Sequence, residues 1–114
     1  MIGCAIEVHR YLGPGLLESA DEQCLAHDLS RSGIAIQLQL SLPVQHKGVR
    51  LDCGHRVDIL VENELIIELK GVEPIKGIHE AQLLTYLKLA RVKLGLRMNF
   101  NLAKLKNGIN RFVL

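Results

Sequence analysis

The sequence is poor in aromatic residues and in cysteine. Its 114 residues contain no Trp, and Phe and Tyr together make up 4%, so the core must be built from Leu, Ile and Val. The three cysteines, Cys4, Cys24 and Cys53, are far apart and form no C-x-x-C motif, which indicates neither a disulfide framework nor a zinc knuckle. Free thiols are typical of a reducing cytoplasm, which is the location we expect.

Long hydrophobic runs and a strong net charge are absent as well. No apolar run approaches the roughly 20 residues that a membrane helix needs, and the early Glu7, without a basic leader, argues against a signal peptide. The net charge is +2, from 14 basic and 12 acidic residues, so any basic surface must be local. With 48% hydrophobic and 23% charged residues, residues 1–114 are predicted to form a single globular domain.

Hydrophobic periodicity predicts an α/β order. Helices are predicted over residues 2–12, from about Leu16 to Arg31 and from about Ile78 to Ala90. Strands are predicted over residues 34–40, 49–61, 65–70 and 92–100, with a short final strand over residues 111–114. Neighbouring strands early in the chain and a helical crossover later imply a mixed sheet of four to five strands flanked by helices, in the order α-α-β-β-β-α-β(-β).

Among the charged residues of the predicted second and third strands, Asp58, Glu68 and Lys70 form one set. Glu68 and Lys70 are two residues apart, so they point to the same face, and a turn over residues 62–64 would pair Asp58 directly with Glu68. Two opposed carboxylates destabilise a sheet until a cation neutralises them, and Mg²⁺ takes one or two protein carboxylates together with water and phosphate oxygens. The pattern predicts a Mg²⁺ or Mn²⁺ site on Asp58 and Glu68, with Lys70 assisting an attacking water. A surface ion pair on a hairpin is the alternative interpretation.

Further motifs extend over nearly the whole chain. They are Gly13-Pro14-Gly15-Leu16-Leu17-Glu18-Ser19, Leu51-Asp52-Cys53-Gly54, Val57-Asp58, Glu68-Leu69-Lys70, His79-Glu80-Ala81-Gln82-Leu83-Leu84-Thr85-Tyr86-Leu87 and Asn99-Phe100-Asn101. In these motifs the chain resembles the GxxExxY family of the PD-(D/E)XK nuclease superfamily. The resemblance implies a restriction-endonuclease-like core and metal-dependent cleavage of phosphodiester bonds. It also implies that Asp58 and Glu68 are metal ligands and that Lys70 is the catalytic lysine.

The resemblance implies roles for helical residues too. Glu18 would be a carboxylate that joins the metal site from a helix, or else a solvated helix residue. Gln82 and Tyr86 lie one turn apart on one helix face, where they would line the active site, although Tyr86 could instead be a core aromatic with its hydroxyl at the rim. Where the family name requires tyrosine, this chain has Asp21, and the acidic face formed with Glu22 either adds to the metal site or is solvated.

The leading hypothesis is a Mg²⁺- or Mn²⁺-dependent nuclease that acts on nucleic acid, with DNA as the favoured polymer. The mild net charge and Asp21 favour the alternative, an inactive nuclease-fold module that binds nucleic acid or a protein partner. The small size is compatible with a homodimer, and a domain that serves mainly to dimerise is a third interpretation. No membrane partner is expected. Scattered basic residues that could contact phosphates, or simply be solvated, are Lys47, Arg50, Arg56, Lys76 and Lys88.

Overall fold

The computed structural model of the chain describes residues 2–14, 18–51, 56–69 and 77–114, with only the backbone described for Glu18 and residues 77–79. Within these ranges the helices are α1 (Ile2–Leu12), α2 (Glu18–Arg31) and α3 (Gly77–Ala90), and a short 3₁₀ turn spans Leu105–Gly108. The strands are β1 (Ile36–Ser41), β2 (Val44–His46), β3 (Val49–Leu51), β4 (Arg56–Val61), β5 (Leu65–Leu69), β6 (Leu94–Met98) and β7 (Ile109–Val113).

Five of these strands form one mixed sheet in the order β1-β4-β5-β6-β7. The pairs β1–β4, β4–β5 and β6–β7 are antiparallel, whereas β5 and β6 are parallel because α3 carries the chain back between them. The turn between β4 and β5 is tight: Glu62 and Asn63 have φ of 53° and 55°, and the Glu64 N–H donates to the Val61 carbonyl over 2.9 Å. The predicted mixed α/β sheet of four to five strands is confirmed.

Helices cover both faces of this sheet. One apolar cluster packs α1 and α2 onto one face, where Leu25 and Leu29 of α2 meet Ile67 and Leu69 of β5. A second cluster packs α3 onto the opposite face. It consists of Leu42, Val57, Leu60, Ile66, Leu83, Tyr86, Leu87 and Val92. Burial on both sides explains why β5 is a nearly continuous apolar run with one charged residue in it.

The predicted second strand is corrected by the structure. Residues 49–51 pair with β2 in a separate two-stranded sheet, while residues 56–61 form β4 of the main sheet. Lys47 and Gly48, with φ of 49° and 78°, make the turn that folds β3 back on β2. Strands of three residues are too short to show a clear period, which is why the sequence predicted one long strand here. The first strand begins at Ile36 and the last at Ile109, each two residues from the predicted start.

Candidate active site

Asp58 and Glu68 meet where β4 and β5 stop pairing. The last backbone pair toward this end is Ile59↔Ile67, and the same register puts Asp58 opposite Glu68. Beyond this pair, bonds from backbone N–H groups to side-chain carboxylates replace the backbone-to-backbone bonds between the strands. The Leu69 N–H donates to Asp58 Oδ2 over 2.8 Å, and the Asp58 N–H donates to Glu68 Oε1 over 3.3 Å. Each carboxylate is thus bonded to the backbone of the neighbouring strand, with Glu68 buried and Asp58 half-buried.

An irregularity in the sheet orients Asp58. Val57 and Leu60 of β4 both pack toward α3, whereas Ile59 packs toward α2, so the alternation of side chains changes phase at Asp58. The neighbouring β1 changes phase at the same level, because Gln39 has φ of 50°, in the left-handed region. A glutamine in that conformation is uncommon, and such backbone strain occurs often at functional sites.

Gln39 connects Asp58 to α2. Its Nε2 donates to Glu22 Oε1 over 2.7 Å and to Asp58 Oδ1 over 3.3 Å, so one amide group lies between the two carboxylates. Glu22 is therefore part of the same cluster, and its helix α2 contacts both β4 and β5. The sequence analysis left open whether the acidic face with Glu22 adds to the site, and no signal in the sequence pairs Glu22 with Gln39.

The acidic face of α2 is buried where it meets the sheet. Asp21 and Glu22 are 4% and 8% exposed, and they continue the buried stripe of Leu25, Ala26 and Leu29. The interpretation of these two residues as a solvated surface is therefore wrong. Carboxylates in core-facing positions need partners that offset their desolvation, and Glu22 has one in Gln39.

Gln82 and Tyr86 are hydrogen-bonded to each other along α3. Gln82 Nε2 donates to the Tyr86 hydroxyl oxygen over 2.9 Å. Gln82 is exposed, while Tyr86 is 6% exposed and belongs to the α3-side cluster. Tyr86 is therefore buried in the core, which agrees with one of the two sequence interpretations without excluding the other, and its hydroxyl is bonded to the exposed Gln82 amide.

Arg97 was missed by the sequence analysis and lies beside Glu68. The parallel register pairs Glu68 with Arg97, and Arg97 with Asn110 of β7. The side chain of Arg97 is 6% exposed, and its Nη1 atom is buried without a hydrogen-bond partner. A parallel pairing of strands joined by a helical crossover cannot be deduced from hydrophobic periodicity. The sequence therefore gave no reason to place Arg97 beside Glu68.

Several predicted site residues lie outside the described residues. Lys70 directly follows β5 in the sequence and is one of them. Glu18 is the first residue of α2, and His79 lies in the first turn of α3, but the side chains of both are outside the described set. The roles of Asp58, Glu68, Lys70, Gln82, Tyr86 and Glu18 remain predictions.

The Asp58 and Glu68 carboxylates suit a hard divalent cation that takes only a few of its ligands from the protein. Asp58 and Glu68 offer adjacent carboxylates, the ligand type that Mg²⁺ and Mn²⁺ prefer. Among the described residues, no three His, Cys, Asp or Glu side chains are placed to hold a metal ion together. Two carboxylates are nevertheless sufficient for Mg²⁺, which keeps water molecules and substrate phosphate oxygens in its remaining positions.

The fold and site define a mixed α/β domain with paired acidic residues at the end of two central strands. A sequence model of the PD-(D/E)XK nuclease superfamily matches residues 1–112. The chain therefore belongs to the PD-(D/E)XK nuclease superfamily. No curated protein and no solved structure matches it significantly. In the described ranges, no helix combines the length and apolar character that crossing a bilayer requires.

Proposed function

We propose that this protein is a metal-dependent nuclease that hydrolyses phosphodiester bonds in DNA. The observation that carries the proposal is the reciprocal bonding of Asp58 and Glu68 across β4 and β5, in a chain that belongs to the PD-(D/E)XK nuclease superfamily. Two carboxylates in register repel each other, and a cation bound between them offsets this repulsion.

Asp58 and Glu68 would hold Mg²⁺ or Mn²⁺, which when bound supplies positive charge next to the scissile phosphate. The chain's own groups fix this geometry before the substrate arrives. The backbone at Leu69 fixes one Asp58 oxygen, and Gln39 restrains the other. Lys70 follows Glu68 by two residues and is proposed to hold the attacking water, while Gln82, exposed and ordered by Tyr86, is proposed to contact the nucleic acid. Glu18 is proposed as an additional carboxylate from α2.

The partner in this proposal is DNA, and the β2–β3 hairpin is a candidate contact surface. Lys47 at its turn and Arg50 on β3 are both exposed, as is Arg56 at the start of β4. Local basic residues of this kind bind phosphates without reading sequence. A homodimer in the cytoplasm completes the proposal, since Cys4 and Cys24 are free thiols and a domain of 114 residues covers little DNA alone.

The test is a cleavage assay on supercoiled plasmid, linear duplex and single-stranded DNA, with Mg²⁺ or Mn²⁺ and with EDTA. We expect cleavage of at least one substrate with metal, none with EDTA, and none by Asp58→Asn or Glu68→Gln. Glu64→Gln is the matched control, because Glu64 is an exposed carboxylate in the adjoining turn. Cleavage that survives both chelation and Asp58→Asn would reject the mechanism.

Metal binding can be measured separately from turnover. A cation that binds only the folded state at about 100 times its Kd adds about 2.7 kcal/mol of stability, which raises Tm by several degrees in a domain of this size. We expect Mn²⁺ to raise the Tm of the wild type and of Glu64→Gln but not of Glu68→Gln. The Tm of each variant in EDTA is the reference for its Mn²⁺ shift, and glutamine at position 68 keeps an oxygen that can accept the Asp58 N–H.

A second candidate function is a nuclease-fold module that binds nucleic acid or a protein without cleaving it. The hydrogen bonds from Leu69 and Asp58 favour this candidate, since they give both carboxylates a structural role without a metal. It predicts DNA binding that is equal in EDTA and in Mn²⁺, with no metal-dependent shift in Tm. Absence of cleavage together with such binding would select this function over the first.

A further inference from the structure

Arg97 is the most unusual buried group of the described residues. It lies on β6, between Glu68 on β5 and Asn110 on β7, with 6% of its surface exposed. Its Nη1 atom is buried and makes no hydrogen bond. A buried guanidinium nitrogen without a partner loses solvation without replacing it, which destabilises the folded state unless an acceptor or a counter-charge is supplied.

The direction of the Arg97 side chain follows from the sheet. Directly paired residues on neighbouring strands point to the same face, so Arg97 leaves the same face as Glu68. Gly95, two residues earlier, faces α3, since a Cβ built there would lie 3.3 Å from Leu83 Cδ1 and Leu87 Cδ2. Arg97 is therefore on the α3 side of the sheet. It lies two residues closer than Gly95 to the carboxyl end of β6.

The carboxyl ends of adjacent parallel strands are where open α/β sheets bind ligands. Glu68 and Arg97 are each the last residue but one of their strands. No salt bridge to Arg97 occurs among the described residues, even though Glu68 is its neighbour in register. The site therefore presents a buried guanidinium with unused donor capacity, next to the carboxylates proposed to hold a cation.

We propose that Arg97 binds a phosphate oxyanion at this site, the phosphodiester group of the nucleic acid substrate. The proposal rests on the nuclease function proposed above and adds the group that holds the phosphate. A phosphate satisfies both halves of the site, because its oxygens accept from the guanidinium on one side and face the metal-binding carboxylates on the other. Guanidinium is suited to this role, since its planar fork donates two parallel hydrogen bonds to one phosphate.

The test measures phosphate binding in EDTA, so that it needs neither a metal nor turnover. Thermal unfolding is followed in sodium phosphate and in sodium chloride of equal ionic strength, for the wild type, Arg97→Met, Arg97→Lys and Arg111→Met. Arg111 is the matched control, an exposed arginine on the neighbouring strand β7. A dT oligonucleotide with 5′- and 3′-hydroxyl ends, titrated by fluorescence anisotropy, distinguishes phosphodiester groups from free phosphate.

We expect phosphate to raise the Tm of the wild type and of Arg111→Met above the chloride value, but not that of Arg97→Met. Affinity for the oligonucleotide should fall about 10- to 100-fold in Arg97→Met, as expected for the loss of hydrogen bonds between charged groups. Arg97→Lys should retain part of the effect. In chloride, Arg97→Met should be at least as stable as the wild type, because an apolar side chain of similar length replaces a buried charge.

Equal Tm of the wild type in phosphate and chloride, or an unchanged phosphate effect in Arg97→Met, would overturn the proposal. If Arg97→Met is instead less stable in chloride and phosphate has no effect on the wild type, Arg97 is a structural counter-ion of Glu68. Phosphate binding that depends on Arg97 in a protein that cleaves no DNA would reject the nuclease function and leave the phosphate site intact. The two proposals can therefore fail independently.

Discussion

At the scale of single residues, Gln39 is the side chain on which the candidate site depends most. Its amide donates to carboxylates on two different elements, Glu22 on α2 and Asp58 on β4. Its backbone has φ of 50°, which costs a residue with a Cβ about 1–2 kcal/mol relative to ordinary conformations. The chain accepts this strain at a position where the amide is held between two acids, which is the relation expected at a functional site.

The stabilities of the glycine and alanine variants at Gln39 should therefore follow the reverse of the usual order. Gln39→Ala loses the hydrogen bonds and keeps the strained φ, whereas Gln39→Gly loses the same bonds and relieves the strain. We expect Gln39→Gly to be about 1 kcal/mol more stable than Gln39→Ala in urea unfolding.

Gln37 is the control for this prediction. It lies on the same strand, is equally exposed and has no positive φ. At Gln37, glycine should be less stable than alanine, since glycine weakens a regular strand. The same order of Gly and Ala at both positions would contradict the interpretation of Gln39 as strained.

At the scale of elements, the sequence could predict the parts of the site that depend on neighbouring segments. The turn after Val61 and the alternation of β4 and β5 are local, so the pairing of Asp58 with Glu68 followed from counting residues. The contact of Glu22 with Gln39 joins a helix to an edge strand, and the pairing of Glu68 with Arg97 crosses a helix. Neither follows from periodicity, because both depend on how separate elements pack.

The same reasoning explains why the solvated interpretation of the α2 acids was wrong. Helical spacing put Asp21 and Glu22 on one face, but charge alone indicated that this face was outside. The sheet is polar at this end, where Gln39 bonds to both Glu22 and Asp58, so acidic residues of α2 can occupy core-facing positions there. The polar surface of the sheet opposite α2 therefore explains why these two acids can be buried beside its apolar residues Leu25 and Leu29.

Two glycines show how closely the elements approach one another. A Cβ at Gly108 would lie 2.6 Å from the Asn99 carbonyl oxygen, where the 3₁₀ turn closes against the end of β6. A Cβ at Gly95 would meet the leucine methyl groups of α3 at 3.3 Å. The first obstacle is backbone that is held in place, since the Asn99 N–H donates to the Gly108 carbonyl, whereas the second is the end of flexible side chains.

Alanine should therefore be much less tolerated at Gly108 than at Gly95. We expect Gly95→Ala to lower the free energy of unfolding by about 1 kcal/mol and Gly108→Ala by about 2–3 kcal/mol, from overpacking. Gly3 is the control, because it lies in α1 with open space around its Cα and should gain or keep stability as alanine. Urea denaturation of the three variants measures these differences, and equal losses at Gly95 and Gly108 would contradict the packing argument.

At the scale of the whole molecule, the β2–β3 hairpin is separate from the main sheet. The proposed metal site and the proposed DNA contact therefore lie on different parts of the protein. The five-stranded sheet and its helices hold the acidic site, while the hairpin is largely exposed and carries Lys47 and Arg50. A two-stranded ribbon has little stability of its own and is suited to lie against a partner. With a net charge of +2, a local basic surface of this kind is what the chain can offer to a polyanion.

Salt dependence measures how many phosphates this hairpin contacts. For duplex DNA, the slope of log K against log salt is about −0.9 for each neutralised phosphate. In EDTA, the Lys47→Ala/Arg50→Ala double variant should bind a short duplex more weakly than the wild type, with a slope shallower by about two between 50 and 200 mM NaCl. Its Tm should stay near the wild-type value, because the hairpin lies outside the main sheet.

The control for the hairpin is Lys104→Ala/Lys106→Ala, which removes the same net charge from exposed positions around the 3₁₀ turn. A uniform attraction between net charges would shift both double variants alike, whereas contact through the hairpin shifts only the first. An unchanged slope in Lys47→Ala/Arg50→Ala would place the DNA elsewhere on the molecule. Because the hairpin and the Asp58–Glu68 pair belong to different sheets, loss of binding through the one should leave the metal-dependent Tm shift of the other intact.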